Sequence, residues 1–300
     1  MSAIPYLHLD VFTDRRFEGN QLAVFPDPRG LTTGNMHAIT REMNFSECTF
    51  IFPPERGGDV HMRIFTPGRE LPMAGHPTIG STFALAIDGT IARGRTDFVF
   101  ELGVGPTPVS LEWGADRLSF AWMTQPLPAF GGEIADRRAL AAAMGLDPHD
   151  LADGPAQIVS CGVPFLFVQA ATRRVVDALS IDRKGLLRCC REAGLEEHPV
   201  FVFTTEAAGG SETVYSRMLA PNFGIAEDPA TGAASGPLGC YLLHHGIVSP
   251  AQAREILSLQ GVAMGRPSRI HISIDSVDDM ITRVRIGGTS VLVGRGTIEI

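Results

Sequence analysis

Short apolar runs separated by glycine, proline and polar residues recur along the whole chain. Runs with alternating or continuous apolar positions predict β-strands, and runs with apolar residues three and four apart predict helices. Met36, Ile39 and Met43, for example, share one face of a helix. Helices are predicted at 33–43, 77–86, 137–145, 183–193, 229–243 and 249–259. Strands are predicted at 7–12, 21–25, 48–52, 61–65, 98–102, 107–113, 118–122, 157–161, 165–169, 200–204, 213–219, 270–274, 282–286 and 291–300.

The chain contains an internal repeat. The segment Arg63-Ile64-Phe65-Thr66-Pro67 matches Arg217-Met218-Leu219-Ala220-Pro221, and each is followed by a loop, a glycine and a helix of small residues. Residues 125–131 are rich in proline and glycine and are interpreted as a linker between halves at 1–124 and 132–287. We therefore predict an α+β protein with two pseudo-symmetric halves, each a strongly bent, mostly antiparallel sheet around a central helix.

A glycine lies at the N-terminal end of the predicted central helix of each half: Gly75 just before the helix from 77, and Gly232 in the first turn of the helix from 229. A helix N-terminus presents backbone N–H groups that lack intrahelical partners, and its partial positive charge favours anions. Two such ends predict a site for a small molecule that carries a carboxylate.

Composition narrows the classes of function. The chain has 300 residues, is 44% hydrophobic, and carries a formal net charge of −8 without a cluster of basic residues, so nucleic-acid binding has no electrostatic support. No apolar run is long enough to span a membrane and no signal peptide precedes the first strand, so we expect a cytoplasmic protein. The five cysteines show no CxxC spacing and the histidines no metal-ligand spacing, so no metal site is predicted.

Three polar residues are candidates for catalysis: Glu47, His76 and Asp228. A carboxylate between a helix end and an apolar strand is partly desolvated, which suits Glu47 to proton transfer. At a helix N-terminus the ring of His76 is expected to be neutral, and Asp228 precedes the second glycine-led helix. Each also has an ordinary structural alternative: a surface glutamate, a structural histidine and a helix N-cap.

Four segments in register resemble the PhzF-like isomerases of phenazine biosynthesis, which share the diaminopimelate epimerase and proline racemase fold. The segments are Gly19-Asn20-Gln21-Leu22-Ala23-Val24, Asn44-Phe45-Ser46-Glu47, Gly75-His76-Pro77-Thr78 and Glu227-Asp228-Pro229-Ala230-Thr231-Gly232. The resemblance implies a homodimer without a cofactor, an active site between the two halves, and a last strand (288–300) that returns to the first half. It implies Glu47 as general acid/base, His76 and Asp228 as catalytic polar groups, and substrate contacts from Asn20, Ser46, Gly75, Gly232 and Ala233. Ala233 stands where the family commonly has serine, so a hydroxyl is lost there while the backbone N–H is retained.

Two-base racemases of this fold carry a thiol just before each site glycine, whereas here those positions are Ala74 and Thr231. We therefore predict an isomerase in which Glu47 alone moves a proton between carbons of a small carboxylate-bearing substrate. The alternatives are a dehydratase or other lyase, an epimerase of a small amino or hydroxy acid, and a non-catalytic binding protein on the same fold.

Overall fold

A computed structural model describes residues 3–206, 210–221 and 225–300, which form two compact units. Unit 1 comprises Met1–Gln125 and Arg285–Ile300, and unit 2 comprises Pro126–Val284. The chain therefore passes from unit 1 into unit 2 and returns. Within the described ranges, no helix has the length and apolar character needed to cross a membrane.

Strands outnumber helices in both units. The first part of the chain forms β1 (Ala3–Val11), β2 (Asn20–Phe25), α1 (Thr33–Met43), β3 (Glu47–Phe52), β4 (Val60–Phe65), β5 (Glu70–Leu71), α2 (Gly75–Asp88), β6 (Asp97–Leu102), β7 (Gly105–Trp113) and β8 (Leu118–Gln125). The remainder forms β9 (Ala129–Ile134), α3 (Arg137–Ala143), β10 (Ala156–Ser160), β11 (Pro164–Gln169), α4 (Arg173–Ala178), α5 (Arg183–Glu192), β12 (Val200–Thr204), β13 (Val214–Ala220), β14 (Ile225–Asp228), α6 (Gly232–His244), β15 (Ile256–Gln260), β16 (Ser268–Val277), β17 (Met280–Gly288) and β18 (Ser290–Glu299).

The two units repeat one pattern of strand pairing. In unit 1, β1 pairs antiparallel with β18 and β2, and the order continues β2–β3 parallel, β3–β4 antiparallel, β4–β6 parallel and β6–β7 antiparallel. In unit 2, the order of strand pairing is β10–β11 antiparallel, β11–β12 parallel, β12–β13 antiparallel, β13–β15 parallel and β15–β16 antiparallel. The internal repeat in the sequence thus corresponds to a repeated topology.

In each unit the strands surround one central helix. In α2 every residue from Gly75 to Leu85 is buried, and this helix contacts β1, β2, β3, β8 and β18. The helix needs small residues because the strands lie close: a Cβ atom on Gly80 would come within 2.5 Å of Leu22 and 2.6 Å of Val11. In unit 2, α6 is buried in the same manner and contacts β10, β11 and β16. A helix that is small and apolar on all sides is stable only when it is surrounded.

Three predicted elements differ from the structure. The helix predicted at 249–259 is wrong: a 3-10 turn at Gln252–Arg254 leads into β15, which pairs with β13 and β16. A short apolar run can suit either a buried strand or a helix, and two neighbouring strands decide the outcome here. The helix predicted from 229 begins at Gly232, because the preceding residues form β14. Residues predicted as linker contribute to β9, which pairs with β10.

Candidate active site

In unit 1, four predicted site residues lie at the ends of neighbouring elements. Asn20 is the first residue of β2, Glu47 is the first residue of β3, and Ser46 directly precedes it. Because β2 and β3 run parallel, with Leu22 opposite Glu47, both strands begin at the same edge. His76 is the second residue of α2, which contacts both strands. The topology therefore brings all four residues together.

Hydrogen bonds orient the His76 ring. The hydroxyl of Ser46 donates to Oδ1 of Asn20 over 2.8 Å, and Nδ2 of Asn20 lies 3.2 Å from Nδ1 of His76. An amide nitrogen can only donate, so this pattern assigns Nδ1 as the acceptor and places the ring hydrogen on Nε2. Nε2 lies 3.3 Å from Oε2 of Glu47, a contact that does not reach hydrogen-bond geometry in this structure.

His76 is a neutral group at physiological pH. Its side chain is 4% exposed, and burial lowers its pKa from 6.5 to about 3, against an opposing backbone hydrogen bond with Gln21. The contact with Glu47 is therefore between a carboxylate and a neutral imidazole, despite its ion-pair distance. The Glu47 side chain keeps 14% exposure, so one partner is enclosed while the other retains access to solvent. A neutral N–H donor beside a partly exposed carboxylate is an arrangement suited to proton transfer.

The cysteines are poor candidates for the same chemistry. All five are buried and free. Cys48 follows Glu47, but its side chain belongs to the apolar cluster beneath α1, and burial raises its pKa to about 12. The Sγ atoms of Cys161 and Cys240 lie 4.0 Å apart, and the neighbouring thiol, with burial, raises the pKa of Cys240. The thiols of Cys48 and Cys240 therefore stay protonated at neutral pH and do not serve as bases.

In unit 2, Asp228 is buried at the end of β14 and is not a helix N-cap. The N-cap of α6 is Thr231, whose hydroxyl makes no capping bond and instead donates to Oδ2 of Asp228 over 2.6 Å. Gly232 and Ala233 are the first two residues of α6, as Gly75 and His76 are of α2. The N-cap alternative for Asp228 is wrong because β14 continues through this residue, and the helix starts three positions later than predicted, at Gly232.

Gln260 belongs to the same cluster and is missing from the sequence prediction. Its Nε2 donates to the carbonyl of Asp228 (2.7 Å) and to the hydroxyl of Thr231 (2.9 Å), while its Oε1 accepts from the N–H of Thr231 (3.1 Å). The side chain is fully buried. A glutamine inside the apolar run 256–260 was the available signal, but the helix prediction for this segment concealed its position.

Strand register shows which residues correspond between the units. Ile64 pairs with Leu71 in the hairpin of β4 and β5, Met218 pairs with Asp228 in the hairpin of β13 and β14, and each central helix begins four residues later. A bidentate ion pair spans each hairpin: Arg63 with Glu70 and Arg217 with Glu227. By this register Leu71 corresponds to Asp228 and Ala233 to His76. The two units therefore carry different side chains at equivalent backbone positions.

Neither a metal-ligating cluster among the described residues nor a groove coincides with the candidate site. Across the ranges that the structure describes, no group of three or more His, Cys, Asp or Glu side chains could hold a metal ion. Two grooves in unit 2, of about 520 and 280 Å³, are lined by other residues than the candidate set. The candidate site is therefore defined by its side-chain chemistry.

Two units of repeated topology, each with a central helix, define an α+β fold, and comparisons with known proteins identify the family. A family model described as phenazine biosynthesis-like protein (PhzC-PhzF) matches residues 9–296, and the chain belongs to this family. It is 36% identical over 293 residues to the trans-2,3-dihydro-3-hydroxyanthranilate isomerase of Pseudomonas fluorescens, covering 98% of each chain.

Solved structures agree with the fold. A PhzF-family protein of Bacillus anthracis matches with a TM-score of 0.88 at 24% identity, covering 100% of both chains. A probable proline racemase from Agrobacterium radiobacter matches with a TM-score of 0.66 at 11% identity, covering 99% of this chain and 93% of that one. The predicted family, the α+β fold and the enzyme class are confirmed: the chain is an isomerase of the PhzF-like family.

Proposed function

We propose that this isomerase moves a proton between two carbons of a small carboxylate-bearing substrate, with Glu47 as the general acid/base and without a cofactor. The observation that carries the proposal is the 3.3 Å contact between the partly exposed Glu47 carboxylate and the buried, neutral ring of His76. A carboxylate in such surroundings can take a proton from carbon and return it.

The proposed reaction has two proton transfers. Glu47 accepts a proton from one carbon, and the electron pair of that C–H bond moves into the adjoining unsaturated system. The protonated Glu47, which is partly exposed and exchanges its proton with solvent, then donates a proton to a second carbon, so the substrate keeps its composition. The Nε2–H group of His76 is a donor that can stabilise charge on the intermediate, and its neutrality means that it does not compete for the proton.

A single acid/base is consistent with the residues around both helix starts. Ala74 precedes Gly75 and Thr231 precedes Gly232, so neither position offers a thiol. The residue that corresponds to His76 in unit 2 is Ala233. Asp228 is proposed to act in the same reaction as a polar substrate contact, together with Asn20, Ser46 and the first-turn N–H groups at Gly75, Gly232 and Ala233.

The assay substrate is trans-2,3-dihydro-3-hydroxyanthranilate, which is the compound in the name of the Pseudomonas relative. The purified protein is incubated with it in D₂O, and product formation and deuterium content are followed by NMR and mass spectrometry. We expect conversion with unchanged mass apart from deuterium exchange. A product lighter by one water would instead identify a dehydratase, and binding without turnover would identify a binding protein.

Replacing the acid/base provides the direct test. Glu47→Gln is expected to lower kcat by at least about 100-fold, the usual contribution of general acid–base catalysis, with substrate binding retained. Glu55→Gln is the matched control, because Glu55 also lies 3.3 Å from a histidine, His61, but is 63% exposed. Wild-type rates of turnover and exchange in Glu47→Gln would reject the assignment.

The proposal includes a homodimer, as the family resemblance implies. Light scattering coupled to size-exclusion chromatography measures the mass directly, and the chain mass of 32.2 kDa sets the monomer value.

A further inference from the structure

The hydrogen bonds around Asp228 form a chain, and the direction of each bond follows from the direction of the bond before it. The backbone N–H of Thr231 can only donate, so it requires Oε1 of Gln260, and the carbonyl of Asp228 can only accept, so it requires Nε2. The amide orientation of Gln260 is therefore fixed by the main chain. In the flipped orientation Nε2 of Gln260 would face the N–H of Thr231, donor against donor. Its Oε1 would face the carbonyl of Asp228, acceptor against acceptor.

This orientation determines the direction of the next bond. The second hydrogen on Nε2 points to the hydroxyl oxygen of Thr231, 2.9 Å away, so that oxygen accepts. The hydroxyl hydrogen is then directed to Oδ2 of Asp228, over 2.6 Å. Because Oδ2 accepts this bond, the chain favours one orientation of the Asp228 side chain.

Unit 1 shows that the fold does not need this chain. The same strand hairpin and helix start are built there from Leu71, Ala74 and Leu102, which occupy the positions of Asp228, Thr231 and Gln260 by strand register. None of these three side chains can form a hydrogen bond. The junction between hairpin and helix therefore forms with apolar residues alone in unit 1. The three polar residues of unit 2, Asp228, Thr231 and Gln260, are not needed to form it.

We infer that Thr231 and Gln260 are positioning residues, which hold the Asp228 carboxylate in one orientation for the reaction. This inference rests on the proposed function in assigning Asp228 to substrate contact. Thr231 and Gln260 act through Asp228 and are not themselves proposed to touch the substrate.

Four variants separate positioning from general stability. Thr231→Val keeps the shape of the side chain and removes the hydroxyl, whereas Thr231→Ser keeps the hydroxyl. Gln260→Leu introduces the residue type that unit 1 uses. Ser235→Ala is the matched control, because the buried Ser235 hydroxyl donates to the Thr231 carbonyl over 2.9 Å in the same turn.

Crystal structures and kinetics are measured for each variant, with trans-2,3-dihydro-3-hydroxyanthranilate as the probe. In Thr231→Val and Gln260→Leu we expect the Asp228 carboxylate to leave its wild-type orientation and KM to rise about tenfold or more, as loss of a charge-assisted hydrogen bond implies. Thr231→Ser is expected to restore both, and Ser235→Ala to change neither. A uniform fall in Tm with unchanged KM and an unmoved carboxylate would overturn the inference.

The two proposals can fail separately. If the wild-type protein does not convert the probe, the proposed substrate is rejected, while the crystal structures still judge the positioning of Asp228. An unmoved carboxylate in both Thr231→Val and Gln260→Leu overturns the positioning inference whatever the activity. If Thr231→Val does not fold, Gln260→Leu decides, since a leucine is accommodated at the corresponding position of unit 1.

Discussion

Replacing His76 by glutamine is expected to remove a pH dependence of stability that this buried ring imposes on unit 1. The unfolded chain binds a proton on this histidine near pH 6.5, whereas the folded protein binds it only near pH 3. Between these values the unfolded state holds more protons, so acid stabilises the unfolded state and stability rises with pH. In the wild-type protein, the stabilisation that comes from keeping His76 neutral is therefore complete above pH 6.5 and is lost progressively as the pH falls towards 3.

The magnitude follows from the pKa difference. At about 1.4 kcal/mol for each pKa unit, the complete loss amounts to about 5 kcal/mol, and at pH 5 the loss is about 2 kcal/mol. An ionised Glu47 carboxylate 3.3 Å away favours the charged ring and opposes burial, so these values are upper limits.

The assay is urea unfolding of the wild-type protein and His76→Gln at pH 5, 6, 7 and 8. Both tryptophans, Trp113 and Trp122, lie in unit 1, so their fluorescence reports on the unit that contains His76. The remaining histidines are common to both proteins and cancel in the difference. The free energy of unfolding of wild type relative to the variant is expected to fall by up to about 2 kcal/mol from pH 8 to pH 5. A difference that does not vary with pH would refute the neutral, buried state of His76.

Two further predictions concern stability. Glu101 accepts hydrogen bonds from the backbone N–H groups of Glu55, Gly58 and Arg56; burial raises the pKa of Glu101, but these bonds lower it below its usual 4.5. Glu101→Gln should unfold at a lower urea concentration than wild type at pH 7. The difference in urea midpoint should shrink below pH 4.5, because the wild-type carboxylate then takes up a proton. A difference in midpoint that is independent of pH contradicts this prediction. Gly80→Ala should destabilise unit 1 by about 1–3 kcal/mol through overpacking against Leu22 and Val11, whereas Gly34→Ala on the exposed face of α1 should be neutral or stabilising by up to about 1 kcal/mol. Equal effects of the two substitutions in thermal unfolding would show that packing at Gly80 is not limiting.

Much of the fold could be predicted from local pattern. Helix α1 has the predicted bounds, and most strands differ from prediction by one to three residues at their ends, because alternation and turn residues are local properties. Segments 129–134 and 256–260 could not be assigned in this way. Their strand conformation comes from neighbours distant in sequence, and those neighbours complete the hydrogen bonds of each strand.

For the candidate site, the chemical groups that are present follow from the sequence alone. It placed Glu47 between a helix end and a strand, His76 next to a glycine at a helix start, and no thiol before either site glycine. The contacts among these groups were decided only by the tertiary structure, because parallel pairing of β2 with β3 and packing of α2 bring Asn20, Glu47 and His76 together. Gln260 shows the same division, since it lies 29 residues from Thr231 and reaches it only because β15 pairs with β13. Burial and hydrogen-bond direction depend on residues that are close in space but distant in sequence. Burial sets the protonation state of His76, and hydrogen-bond direction sets the orientation of Asp228.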